Sequence, residues 1–174
     1  MEKNLKNLIF AHLLPLFVVF IFFSTNAFSA ASVSSSSSSK NSTSSQADEN
    51  NSLREEDKEI NNIKLTLKMN NYEEAYFLSK NAVLEYPDNP DAWNFLGFSS
   101  RKLKKYGESK NAYRKALIID PEHLGALEYY GELYLTLKQP KKAKELLERL
   151  RNLCNLNCKE MKQLEVAIRN FENN

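Results

Sequence analysis

Residues Pro90–His123, PDAWNFLGFSSRKLKKYGESKNAYRKALIIDPEH, decide how this chain folds. Within them Trp93-x-x-Leu96-Gly97 opens one apolar-periodic run, Tyr113 and Ala116 lie on a second, and Asp120-Pro121 closes it. The same features return at one interval. The step from Ala75 to Ser109 equals those from Ala82 to Ala116, Pro87 to Pro121, Gly97 to Gly131 and Ser109 to Ala143. Five matches to one period of about 34 residues are hard to reach by chance, and a period of this size marks a stack of supersecondary units. Three units follow, at about 56–89, 90–123 and 124–157. The first has Glu59 and Ile63 where the second has Trp93 and Gly97. The third keeps Leu127, Tyr130, Gly131, Tyr134, Ala143 and Leu147 but has Asn155 in the proline position.

Each unit reads as a pair of helices. Ile60, Ile63 and Leu67 share one face at helical spacing, and Asn70-Asn71 signals a turn. A second helix from Tyr72 carries Ala75, Leu78, Ala82 and Leu84 and ends at Tyr86-Pro87, because proline cannot continue a helix and disfavours helical geometry in the residue before it. Gly97 and Gly131 allow helices to approach where a Cβ would collide, Ala75, Ala82, Ala116 and Ala143 are small at the facing crossing, and Trp93, Tyr113, Tyr130 and Tyr134 fill the space between units. A single such pair cannot bury its apolar face alone, so about three are needed for stability.

Trp93, Leu96, Gly97, Ala116 and Pro121 at their spacings make Pro90–His123 resemble one tetratricopeptide (TPR) repeat, whose pattern runs W-x2-L-G-x2-Y, then A-x3-F, then P. Ser100, Ser109 and Tyr113 stand where that family prefers Tyr, Ala and Phe. The resemblance implies an all-α fold: a right-handed α-α superhelix of about three helix-turn-helix repeats plus a C-terminal capping helix. It also implies a binding scaffold whose first helices line a concave groove. Residues off the packing face of those helices are Asp91, Asn94, Phe98, Arg101 and Lys102 in the second unit, Glu128, Glu132, Leu135 and Thr136 in the third, and Lys64 and Lys68 in the first. The expected partner-binding set is Asn94, Phe98, Arg101, Lys102, Glu128 and Glu132, with Phe98 either anchoring a peptide or packing on a neighbouring helix. Family members that clamp a chaperone's terminal carboxylate use a set of Lys, Asn and Arg that only Asn94, Arg101 and Lys102 match here, so that function is not carried over.

Beyond the third unit, Met161, Leu164, Ala167, Ile168 and Phe171 at helical spacing predict an amphipathic capping helix over about 159–172. Asn157 suits a left-handed helix-ending turn before it. Cys154 and Cys158, the only cysteines, bracket this joint. A disulfide closing the joint is the first reading. A redox-active pair competes, although C-x-x-x-C differs from the reactive C-x-x-C in a strand-containing context. A metal site would need further ligands, and covalent haem normally follows C-x-x-C-H, whereas Lys159 follows Cys158 here.

The opening of the chain sets the address. Lys3 and Lys6 precede the apolar run Leu8–Phe23, interrupted by His12 and Pro15, and small residues follow to Ala31. Residues 1–31 therefore read as a secretory signal, with cleavage after Ala27, Ser29 or Ala31; the run is short for a membrane span, which takes about 20 residues. Residues 32–52, rich in Ser and Asn, cannot bury enough apolar surface to offset the entropy of ordering and read as a disordered linker. If the signal is retained, it anchors the chain to a membrane and the linker becomes a stalk. The layout also resembles small exported bacterial TPR proteins that end in a Cys pair and a short capping helix, which implies the periplasm or cell envelope.

Formal charge is +2, and removing Lys3, Lys6 and Glu2 with the signal leaves it close to neutral. A nucleic-acid binder would usually be far more basic on one face, so no such partner is expected. Arg101, Lys102, Lys104 and Lys105, like Lys141, Lys142 and Lys144, read as solvated helix faces. No Gly-rich phosphate loop is present, His123 has no nucleophile in a motif around it, and Glu55-Glu56 and Glu73-Glu74 lie where helix dipoles favour them. The reading is a non-enzymatic module, without cofactor or metal, that binds a peptide or another envelope protein. The alternative is a thiol-disulfide or metal-handling protein using Cys154 and Cys158.

Overall fold

The computed structural model describes residues 44–155 and 157–173. Among them are seven helices and no strand: α1 (Ser44–Lys68), α2 (Tyr72–Glu85), α3 (Pro90–Lys102), α4 (Tyr106–Ile119), α5 (Leu124–Thr136), α6 (Pro140–Leu153) and α7 (Lys159–Glu172). The expected signal, residues 1–31, lies outside the described residues, as does the linker up to residue 43. The remainder of that linker is corrected: α1 begins at Ser44, so residues 44–52 are helical. Gln46, Ala47, Glu49 and Arg54 are good helix formers, and a nucleated helix propagates through them without an apolar face. No described helix is long and apolar enough to cross a membrane.

Helix ends repeat with the sequence period. Asn70, Lys104 and Lys138 adopt φ of 60°, 61° and 57°, each one period from the next, between the two helices of a unit. The amide after each reaches back to the last turn, with Asn71 N to the Thr66 carbonyl at 3.2 Å, Lys105 N to Ser100 at 2.8 Å and Gln139 N to Tyr134 at 2.8 Å. This left-handed closure satisfies carbonyls that a helix end otherwise leaves open. The fourth positive φ belongs to Asn155 (47°) and not to Asn157. Pro90 and Pro140 sit at first helical positions, where a missing N–H costs nothing. Asn89 and His123, again one period apart, cap α3 and α5: Asn89 Oδ1 accepts from Ala92 N at 2.9 Å and His123 Nδ1 from Ala126 N at 3.1 Å.

Backbone proximity orders the layers. The first helices α1, α3, α5 and α7 each approach the next, whereas α2, α4 and α6 do not approach one another. Long side chains bridge the wider gap, as when the Tyr76 hydroxyl donates to Glu108 at 2.9 Å. The first helices therefore form the inner layer of a curved array. The fold is an all-α TPR-like solenoid of three helix pairs and a final helix.

Packing is densest around the two helical glycines. A Cβ on Gly97 would stand 2.6 Å from two ring carbons of Tyr113, which is fully buried. A Cβ on Gly131 would meet the Leu164 methyls at 2.5 and 2.6 Å, so this glycine admits α7 rather than its own partner α6. Ala75, Ala82, Ala116 and Ala143 are fully buried. Leu84, expected on the apolar side of α2, is instead 79% exposed. Trp93 is half-buried, and its indole N–H donates to the Pro87 carbonyl at 2.8 Å.

Gly97→Ala should destabilise the domain by about 1–3 kcal/mol, since the rigid Tyr113 ring cannot yield. Gly107, where an added Cβ meets nothing within 4 Å, should gain about 0.5–1 kcal/mol as Ala. Thermal melts followed by circular dichroism check both signs.

Candidate functional site

The first helices pair side by side, and the α3–α5 seam is a ladder of named contacts. At its opening, His123 Nδ1 accepts from the Ala126 amide, which leaves Nε2 to carry the proton and donate to Asp91 Oδ1 at 3.2 Å. That hydrogen bond holds the Asp91 carboxyl below its usual range. Next, Asn94 Nδ2 lies 3.2 Å from where a Cβ on Gly125 would stand. The Phe98 ring then meets Tyr129 edge-on, with centroids 4.7 Å apart. Arg101 closes the seam with an ion pair to Glu132.

This ladder brings Asn94, Phe98, Arg101 and Glu132 of the expected groove set together, and the set is unequally exposed. Asn94 and Glu128 are each 2% exposed, and Leu135 belongs to the core. These three are corrected from groove contacts to seam or core residues. The physical reason is that a first helix of a solenoid packs on two sides, against its own second helix and against the next first helix, so one apolar stripe undercounts its buried face. Phe98 is half-buried, while Lys102 is exposed with its Nζ 5.1 Å from the Phe98 centroid and 5.5 Å from that of Tyr72. Phe98 packs on Tyr129, as the second alternative expected, and it also lines a cavity.

That cavity, about 290 Å³, takes Lys64, Leu67 and Lys68 from α1, Phe95 and Phe98 from α3, Tyr129 from α5 and Lys159 from α7. All four first helices contribute to it. Burial pushes the Tyr129 phenol up to about 12, so it stays a neutral donor. A larger hollow of about 650 Å³ between α5 and α7 is lined by Glu132, Lys159, Lys162, Gln163, Val166, Ala167 and Asn170. Sequence reasoning missed Tyr129 and Lys159. The signal was the period itself, for Tyr129 lies one period after Phe95, and Lys159 one period after Gly125.

Cys154 and Cys158 have their sulfur atoms 2.09 Å apart and their Cα atoms 5.4 Å apart, across the α6–α7 joint. Cys158 Sγ also accepts from the Met161 amide at 3.4 Å, so it caps α7 next to the groove residue Lys159. Among the described residues, no three His, Cys, Asp or Glu side chains gather as a metal site.

Asn94 Oδ1 and Arg101 Nε are buried without hydrogen-bond partners. Beside them, burial first, and then Glu132 and Glu160, push the Glu128 carboxyl from 4.5 up to about 8. The folded state therefore holds a proton that the unfolded chain releases near its ordinary value, and stability declines as pH rises through the window between these two values. Glu128→Gln removes that decline, which is at most about 1.4 kcal/mol per pH unit. Urea unfolding across this window should show the variant gaining on wild type as pH rises; parallel curves would remove the buried-carboxyl account.

A family model described as a tetratricopeptide repeat matches residues 100–165. Over 84 residues the chain is 31% identical to the uncharacterized protein ycf37 of Porphyra purpurea, a match covering 46% of this chain and 49% of that one. The match thus spans about half the length of that curated relative. Among solved structures, the chain is similar to the Sgt2 TPR domain from Aspergillus fumigatus, with a TM-score of 0.60 at 22% identity over 68% of this chain and 80% of that one. It is also similar to the first TPR of Spaghetti (RPAP3) bound to the HSP90 peptide SRMEEVD, with a TM-score of 0.59 at 18% identity over 68% and 94% of the two chains. The period, the helix-pair architecture, the close-packed glycines and these matches together give residues 100–165 a tetratricopeptide repeat match and the described helices the fold of a tetratricopeptide repeat array.

Proposed function

We propose that this chain is a non-enzymatic protein-interaction module that holds a peptide segment of a partner in its concave groove. The observation that carries this reading is the cavity to which α1, α3, α5 and α7 all contribute, with Phe95, Phe98 and Tyr129 set among Lys64, Lys68 and Lys159. Exposed or half-buried aromatics framed by polar groups are the usual anchors of a peptide interface. The peptide-bound state of the RPAP3 domain supports it, as a property of that protein on a shared fold.

The working setting is the bacterial cell envelope. Lys3 and Lys6 before the apolar run Leu8–Phe23 support export, and the Cys154–Cys158 pair suits an oxidising compartment. There the disulfide acts as a brace on the α6–α7 joint, worth about 2 kcal/mol for so small a loop. A role in catalysis or thiol exchange is not needed to account for it.

Arg101 is engaged with Glu132 and its side chain is only 12% exposed, so reversing its charge would disturb the seam itself. Phe98→Ala/Lys102→Glu is the cleaner probe. With the fold verified by circular dichroism, this variant should lose partners captured from the envelope fraction by wild type, by about tenfold or more. Capture of the same partners by both proteins would remove the groove from the account. The intact mass of protein recovered from that fraction should start after Ala27, Ser29 or Ala31 and be about 2 Da below the dithiol form. Maleimide labelling of Cys154 or Cys158 without prior reduction would overturn the brace.

A further inference from the structure

We propose that α7 is a wall of the binding groove as well as the cap of the array, and that the groove takes an acidic peptide segment carrying one bulky apolar side chain. This rests on the groove reading above and gives it a partner chemistry. The sequence period continues into α7 although the family pattern fades there: Asn94, Glu128 and Lys162 are successive positions of that period, and so are Phe98, Glu132 and Val166. The helix is seated accordingly. Met161, Leu164 and Ile168 are buried, with Leu164 pressed into the space that Gly131 leaves. Lys159, Lys162 and Val166, the last 48% exposed, line the hollow between α5 and α7.

The two hollows meet at Lys159, which lines both. Around the aromatic one the charged groups are Lys64, Lys68 and Lys159, with no carboxylate among its described walls. The α5–α7 hollow adds Lys162, and its one described acid, Glu132, is already paired with Arg101. A chain lying along this surface meets ammonium groups on either side of an apolar recess. Carboxylates complement the former and a Leu, Phe or Trp side chain the latter. Single-stranded nucleic acid would also meet lysines and aromatics, but the near-neutral chain lacks the strongly basic face that a phosphate backbone requires.

Phage-displayed dodecapeptides selected on the immobilised full chain test this directly. Selected peptides should be rich in Asp and Glu around one large apolar residue, and their affinity should fall with salt. Lys159→Glu/Lys162→Glu should weaken them by about tenfold or more. The new carboxylate at residue 159 suits the start of α7, so folding is preserved. Lys142→Glu, on α6, should leave affinity within about twofold. If Phe98→Ala abolishes binding while the α7 reversal does not, the groove stands and the α7 wall falls. If neither variant weakens binding, the groove reading itself fails. Selection of basic or neutral peptides, of none, or displacement of acidic ones by oligo(dT) overturns the proposed partner.

Discussion

The contact on which the rest of the molecule depends is Tyr113 lying flat against Gly97. The ring occupies the space of an absent side chain, so α3 and α4 come closer than any residue with a Cβ would allow. The Ser109 hydroxyl fixes the same crossing by donating to the Gly97 carbonyl at 2.7 Å. From there the order spreads outward. Tyr113 stacks on Tyr130 of α5 at 5.7 Å, and Tyr130 on Tyr134 at 4.4 Å, with their hydroxyls joined at 2.7 Å. Full burial keeps the Tyr113 phenol neutral far above its ordinary range. One aromatic thus spaces the central helix pair and registers the next unit upon it. The α3–α5 seam, and with it the groove, inherits that spacing.

The other units solve the same steric problem with different residues. One period before Gly97 and Tyr113 stand Ile63 and Ser79, both buried, so the large and small partners are exchanged. One period after them stand Gly131 and Leu147. In the first unit the summed volume at the crossing is nearly kept while its distribution shifts, which a close-packed interior tolerates better than a net change. The shift has a consequence at the far end. Leu147 is smaller than Tyr113, and the glycine of the third unit is used by Leu164 of α7 instead. The last helix is therefore drawn into the inner layer, where it packs more closely on α5 than α5 does on α3.

Much of this was legible in the sequence because spacing and punctuation carried it. Pro87, Pro121 and Asn70 marked helix ends by their own backbone chemistry, and the glycine and alanine periods marked the crossings. Lys104 and Lys138 were not legible as turn residues, since lysine has no preference for positive φ and is held there by the helix-end hydrogen bonds. His123 as a cap was hidden for a similar reason: its ring nitrogen plays the part that Asn89 plays one unit earlier. Of the expected site residues, Phe98 and Glu132 line the two hollows, and Arg101 and Lys102 lie over the Phe98 ring. Asn94 and Glu128 were misplaced because nothing in one helix's periodicity reports the neighbour that arrives a full repeat later.

Glu128 links this burial to the electrostatics of the groove. Three carboxyls, those of Glu128, Glu132 and Glu160, lie near one another around the α5–α7 side, and if all were free their charge would offset Lys159 and Lys162. Two of the three are accounted for differently. Glu132 commits its charge to Arg101, and Glu128, pushed up to about 8, is largely protonated at neutral pH. The burial that excluded Glu128 from direct contact with a partner is what removes its negative charge. Packing between α3 and α5 thereby leaves the lysines of α1 and α7 as the dominant charges facing the recess between Phe98 and Tyr129.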